Sequence, residues 1–169
     1  MAALANSEHV LTLLQQNDTT TTTANFSKLN LGDTHIIQIC QALTHNVHCT
    51  YLDLSSNAFG LDGLFAIANL IACNCTLTKI DLSFNTLHSR GALALSRVVS
   101  SSNLKSLMLQ NCGPSTALIL MAMMRSPTTR NTINTSLNPV TNAMMQNSIS
   151  SENKRRRDFE KPQSKRKSN

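Results

Sequence analysis

The chain has 169 residues, enough for one domain with a tail and for a buried core. No run of about 18 apolar residues occurs, so no membrane helix is expected, and Met1 to Leu14 lacks the basic start and compact apolar centre of a secretory signal. Five cysteines are an odd number and few for a disulfide scaffold, so reduced thiols and a cytoplasmic and/or nuclear location are expected. The net charge of +6 is unevenly spread: residues 1–147 carry seven Lys/Arg against six Asp/Glu, and residues 148–169 carry eight against three. The basic character therefore belongs to the tail. Four Asn-x-Ser/Thr triplets begin at Asn17, Asn25, Asn74 and Asn134, about the number that chance supplies in a chain with 18 Asn.

Residues 1–25 read as an N-terminal cap. Ser7 to Gln16 carries Val10, Leu11, Leu13 and Leu14 and predicts a short helix with Ser7 as its N-cap, placed to cover the open end of a stack. Thr19 to Thr23 predicts a loop. Residues 26–147 form the predicted repeat domain. Three segments align: Cys49-Thr50-Tyr51-Leu52-Asp53-Leu54-Ser55-Ser56-Asn57, then Leu77-Thr78-Lys79-Ile80-Asp81-Leu82-Ser83-Phe84-Asn85, then Leu104-Lys105-Ser106-Leu107-Met108-Leu109-Gln110-Asn111-Cys112. The step from Leu77 to Leu104 is one residue shorter than the step from Cys49 to Leu77. Positions one, four and six are apolar, and position nine is Asn or Cys. Phe26 to Thr34 reads as an earlier copy with Thr34 at the Asn position, and a weak fifth copy surrounds Ile133, Thr135, Asn138 and Val140.

The connecting segments repeat too. Gly63, Leu64, Ile67, Leu70 and Ile71 match Gly91, Ala92, Leu95, Val98 and Val99, an apolar helical stripe. Ile36, Ile39, Ala42 and Leu43 supply it in the first unit, and Ala117, Leu118, Met121 and Met124 in the fourth. Asn46 and Asn74 fall three residues before a repeat start, where a left-handed helix end is expected. Each unit is therefore a short strand, a turn and a helix of about ten residues, and such units must stack to bury their apolar sides. Residues 148–169 hold almost no apolar side chain and predict a disordered basic tail.

The segments from Cys49 to Phe59 and from Cys75 to Leu95 resemble leucine-rich repeats of the ribonuclease-inhibitor type. That type has repeats of about 28 residues with a full helix, and often places Cys where others have Asn, as Cys112 does. The resemblance implies an α/β solenoid, a short horseshoe with a parallel sheet on its concave side and helices outside.

Asn57, Asn85 and Asn138 read as an inward amide ladder that satisfies backbone at each turn, not as catalytic groups. Cys40, His45, His48 and Cys49 have metal-ligand chemistry, but Cys49 occupies an inward repeat position, so no metal site is assigned. Cys73 and Cys75 lack the spacing of a zinc knuckle and read as structural. There is no nucleophile motif and no phosphate-cradling glycine loop, so neither a catalytic residue nor a cofactor is expected.

The expected function is a non-enzymatic scaffold that binds a protein partner on the concave sheet. The candidate surface is Lys28, Tyr51, Asp53, Lys79, Asp81, Phe84, Lys105 and Met108, with Asn30, Ser56 and Asn111 in the same exposed row. Asp53 and Asp81 belong to the common Leu-Asp-Leu-Ser form of the repeat, which suits a structural role. An alternative is a nuclear protein whose tail contacts nucleic acid; phosphate binding would weaken steeply with salt. A further alternative is a piece of a larger leucine-rich repeat regulator.

Lys154, Arg155, Arg156 and Arg157, followed after a short spacer by Lys165, Arg166 and Lys167, form two basic clusters of the kind that acidic import receptors read. A fusion of the chain to a cargo too large to diffuse through nuclear pores is expected to accumulate in nuclei. Changing Lys154 to Arg157 to Ala is expected to reduce that accumulation strongly. Equal nuclear and cytoplasmic fluorescence for the unmodified fusion would remove this role from the tail.

Overall fold

A strand of only three residues recurs once per unit, and a helix carries the chain back to the start of the next. In the computed structural model, which describes residues 2–125 and 134–136, the order is α1 (Ala2–Gln15), β1 (Thr23–Asn25), α2 (Asp33–Thr44), β2 (Tyr51–Asp53), α3 (Leu61–Cys73), β3 (Lys79–Asp81), α4 (Ser89–Val99), β4 (Ser106–Met108), α5 (Thr116–Arg125) and β5 (Asn134–Ser136). The strands form one parallel sheet in sequence order, each paired with the next. Parallel neighbours need a crossover between them, and helices α2 to α5 supply it. The helices pack side by side along the back of the sheet, and α1 covers α2 and β1.

The register stacks equivalent residues in lines. Ala24, Leu52, Ile80 and Leu107 pair in succession at position four, and all are buried. Phe26, Leu54, Leu82 and Leu109 form the line at position six. From the helices, Ile36, Leu64, Ala92 and Ile119 are each fully buried and meet the strand lines across one continuous core.

This register corrects several expectations. Thr23 pairs with Tyr51, so the first unit begins at Thr21, not at Phe26, and the step from Thr21 to Cys49 equals the step from Cys49 to Leu77. Thr21 is buried at position one, and Leu29, not Thr34, stands at the Asn position. The threonine run is thus partly strand. Helix α1 begins at Ala2, and Ser7 lies buried inside it instead of capping it. In α5, Thr116 and Ile119 are buried, whereas Leu118 and Met121 are exposed. The step from Ala92 to Ile119 is one residue shorter than the step from Leu64 to Ala92, the same shortening that separates β4 from β3, and this turns the expected stripe outward. Thr135 takes its place beside Leu107, while Ile133, Asn138, Val140 and the basic tail lie outside the described residues.

Asparagines close the turns after β2 and β3. Asn85 Nδ2 donates to Leu54 O (3.0 Å), Leu82 O (2.9 Å) and Ser83 O (3.2 Å), and its Oδ1 accepts from Asn57 N (2.8 Å). Asn57 repeats this one unit earlier, donating to Phe26 O and Leu54 O (both 2.9 Å) and accepting from Leu31 N (3.0 Å). Cys112 supplies a weaker rung, its Sγ donating to Leu82 O (3.0 Å).

A second ladder runs along the helix ends. Asn74 Nδ2 donates to Leu43 O (2.7 Å) and Asn46 O (3.0 Å), while its Oδ1 accepts from Thr76 N (2.8 Å) and Leu77 N (2.7 Å). Asn46 does the same against Leu14 O, His48 N and Cys49 N. Asn74 is extended (φ −89, ψ 124), so these residues serve through their side chains and not through left-handed backbone. Asp18 holds the equivalent place one unit earlier, as far before Asn46 as Asn46 is before Asn74. Hydrogen bonds from Thr20, first its hydroxyl and then its backbone N–H, hold the Asp18 carboxyl below its ordinary pKa.

Two contacts between units complete the frame. Asp33 Oδ1 accepts from Gly60 N (2.6 Å) and Gly63 N (3.0 Å), so one helix caps the N-terminus of the next. Gly91 lies against Leu64: a Cβ at Gly91 would stand 2.7 Å from the Leu64 Cβ.

Asn85→Ala is expected to destabilise by about 1–3 kcal/mol, because buried groups of two units lose their partner at once. Chemical denaturation checks this, and an unchanged midpoint would contradict the ladder. Gly91→Ala gains about 1 kcal/mol of helix propensity, but overpacking typically costs about 1–3 kcal/mol. The melting temperature is therefore expected to fall, and a rise would show that Leu64 can move aside.

Candidate partner-binding surface

Alternation along each strand sends position four inward and positions three and five outward. The outer face of the sheet therefore carries two lines. One is Thr23, Tyr51, Lys79 and Ser106; the other is Asn25, Asp53, Asp81 and Met108. Five of the expected residues, Tyr51, Asp53, Lys79, Asp81 and Met108, meet on this face. Lys105 is exposed at position two, where Thr50 and Thr78 donate their hydroxyls to Thr22 O (3.2 Å) and Thr50 O (3.3 Å).

Asp53 and Asp81 have a local task. Each accepts, through Oδ1, the backbone N–H two residues on, at Ser55 (2.9 Å) and Ser83 (2.8 Å). Asn25 does this for Ser27 (2.9 Å). These Asx turns bend the chain out of the sheet. They leave two carboxylates on adjacent paired strands, about 4.8 Å apart in backbone spacing. Tyr51 stands beside them. Burial first, then the charges of Asp53 and Asp81, then a hydrogen bond to Asp53 hold its phenol above the ordinary pKa. Tyr51 thus stays protonated as a donor.

Positions seven and eight do not project from the sheet as expected. Ser83, at position seven, is buried, and its Oγ accepts from Gln110 N (3.2 Å). Position eight turns: Lys28, Ser56, Phe84 and Asn111 have φ of 59, 55, 59 and 52°. Lys28 belongs to this line, having been expected at position three of a misplaced copy. Asn30 is exposed beyond it and off the sheet. Each of the four described turns passes through the left-handed region here, which suits Asn and is disfavoured for a bulky side chain. Phe84 nonetheless occupies it, with 52% of its surface exposed.

The helical side holds a feature that the sequence reading missed. Phe65, Leu93, Leu118 and Met121 are exposed by 40, 44, 39 and 49% on successive helices α3, α4 and α5. Phe65 and Leu93 hold the same repeat position, each next after the matched pair Leu64 and Ala92, so the signal was present in the repeat spacing. Among the described residues no three His, Cys, Asp or Glu gather to hold a metal. Cys40 and Cys49 are buried, and burial pushes their thiols up to about 12 and 11.

A leucine-rich repeat profile matches residues 45–68 and 73–96, which span β2 with α3 and β3 with α4. Among solved structures the chain is similar to leiomodin-1 actin-binding site 2, with 21% identity, coverage of 93% of this chain and 96% of that one, and a TM-score of 0.69. It is also similar to a Caenorhabditis elegans tropomodulin C-terminal domain, with 14% identity, coverage of 89% and 95%, and a TM-score of 0.61. The fold is a leucine-rich repeat solenoid. Comparison with curated protein sequences gave no significant match.

The leucine-rich repeat geometry makes a sharp comparison possible at Phe84. Phe84→Gly and Phe84→Ala remove the same ring, and at an ordinary position Ala is the more stable of the two. With φ at 59°, the order is expected to reverse, Phe84→Gly being the more stable by about 1 kcal/mol. Denaturation midpoints of the two variants check this, and Ala above Gly would refute the left-handed turn.

Proposed function

We propose that this leucine-rich repeat solenoid is a non-enzymatic scaffold whose protein partner seats on the concave sheet and its bordering turns, with Tyr51 on the sheet and Phe84 on the turn rim as its anchors. The observation that carries the reading is Phe84. It is a large aromatic side chain, half exposed, at a backbone position that penalises it. Local rules broken twice at one residue favour a functional reason over a structural one. Tyr51 and Met108 extend the apolar contact, and Lys28, Lys79 and Lys105 surround it with positive charge. Rigid repeats present such a surface without rearrangement.

The likeness to leiomodin-1 actin-binding site 2 makes actin the first partner to test. The identity of 21% supports the fold alone, so the surface residues, and not the likeness, must carry the result. Sedimentation with filamentous actin, and monomeric actin in a parallel binding assay, supply the measurement. A pull-down from extract, run with the full chain at two salt levels, covers partners other than actin.

With the captured partner, Tyr51→Ala and Phe84→Ala are each expected to weaken binding by about 1–3 kcal/mol. Lys79→Glu is expected to act mainly on association rate and its salt dependence. Unchanged affinity for Tyr51→Ala and Phe84→Ala together would move the interface to the helical side or to the tail.

A further inference from the structure

The helical side of the solenoid carries a charge pattern of its own. Asp62, Phe65 and Asn69 stand three and then four residues apart on α3, which is one helical face, and all three are exposed. Arg90, Leu93 and Arg97 hold the same three repeat positions on α4 and are also exposed. The opposite faces of both helices are buried. Since α3 and α4 pack side by side, the six residues form one patch. Its centre is apolar, one helix contributes a carboxylate, and the other contributes two guanidinium groups.

Two observations set this patch apart from an ordinary solvated face. Helices α2 and α3 place Asp33 and Asp62 in their first turns, where the positive end of the helix dipole favours an anion. Helix α4 places Arg90 there instead, against its dipole. Among the described residues, Asp62, Arg90 and Arg97 make no ion pair. The asymmetry also extends along the chain. Residues 1–81 hold six Asp/Glu against two Lys/Arg, and residues 82–147 hold none against five. Because the units stack in sequence order, the described solenoid is acidic towards its first unit and cationic towards its last.

A face that is acidic on one side, basic on the other and apolar between them complements its own copy turned round. A two-fold axis parallel to the helices, between α3 and α4, sets α3 of each copy on α4 of the other. Equivalent repeat positions then meet. Asp62 faces Arg90 of the second copy, and Phe65 faces Leu93 of the second copy, each contact occurring twice. The same rotation lays each acidic half against a basic half. An anionic lipid surface fits this face less well, because it meets Asp62 beside Phe65.

We propose that the α3–α4 face is an isologous interface with a second copy of this chain. Two helices per copy make a small contact, and an interface of about 1,200 Å² or less suits a dimer of micromolar affinity. The two sheets then face away from each other. On the reading of the sheet as the partner surface, the dimer bridges two partner molecules.

The test is sedimentation velocity of the full chain alone, from low to high micromolar concentration and at two salt levels, so its outcome does not depend on the partner proposed for the sheet. A monomer–dimer equilibrium that weakens at high salt is expected. Asp62→Arg and Arg90→Asp each set like charges opposite one another twice, and each is expected to weaken the dimer by about 10-fold or more. Mixing these two variants in equal amounts is expected to restore it, because every Asp then faces an Arg. Leu93→Ser is expected to weaken the dimer without rescue by either variant. All these positions are exposed, so melting curves at low concentration should stay close to that of the parent. A parent that is monomeric throughout, an Asp62→Arg variant that dimerises as the parent does, or a mixture no more dimeric than its components would each overturn the proposal. Flotation of a monomeric parent with phosphatidylserine vesicles would also overturn it and assign the face to lipid.

Discussion

Everything in this molecule depends on satisfying the backbone at two bends per coil. Where the chain leaves the sheet and where it leaves the helix, N–H and C=O groups are buried without a ladder of their own. A single unit cannot supply the partners. Asn85 answers Leu54 O of the preceding unit together with Leu82 O of its own, and Asn74 answers Leu43 O and Asn46 O. Each amide thus ties two coils together at once. Stability is accordingly a nearest-neighbour property, with Asp33 capping the next helix as a third tie. The ends of the ladders show what the chemistry tolerates. Cys112 keeps a contact to Leu82 O but gives up most of the amide's capacity, and Asp18 takes over turn acceptance in the first unit.

The same constraint sets the shape of the outer surface. Where the chain turns toward position nine, the strand is confined to three residues and position eight is left-handed in each of the four described turns. The sheet face is therefore narrow: two lines of side chains, bordered by a rim of turning residues. Lys28, Ser56 and Asn111 meet that rim without large apolar surface. Phe84 alone puts an aromatic ring there. Stability selects against that choice on two grounds, exposure and backbone strain, and the proposed partner-binding role rests on them.

Much of this was legible in the sequence where the apolar pattern was strong. The three central units and their helices follow from spacing alone, and Leu52, Ile80 and Leu107 are buried as the pattern requires. The first unit was misread because its inward residues are Thr21 and Ala24, whose small or polar side chains hide the period. Phe26, Leu29 and Leu31 imitate the repeat in the wrong frame. In α5 nearly every residue is apolar, so composition could not distinguish the buried Ile119 from the exposed Leu118 and Met121. The spacing of Asn46 and Asn74 was visible, but their amide hydrogen bonds were not, since a spacing does not reveal which way a side chain turns. Tyr51, Lys79 and Met108 were placed by alternation; the left-handed turn that makes Phe84 exceptional has no apolar signature.

The electrostatics of the sheet face follow from the turns as well. Asp53 and Asp81 are held side by side because each must accept the N–H that bends its own strand out of the sheet. Like charges opposite one another are unfavourable, so each repeat that keeps the turn adds repulsion to the face. Tyr51 registers that field, its phenol held above the ordinary pKa after burial by these two carboxylates. Lys79 pairs with Tyr51 across the strands in the neighbouring line of the same face. A partner that brings a cationic or hydrogen-bond-donating group onto the Asp53–Asp81 pair relieves a repulsion that the free protein already carries. One that brings a carboxylate there must overcome it. Under the proposed function, selectivity on this face would come from the requirements of the turn itself, while Phe84 would supply the apolar contact.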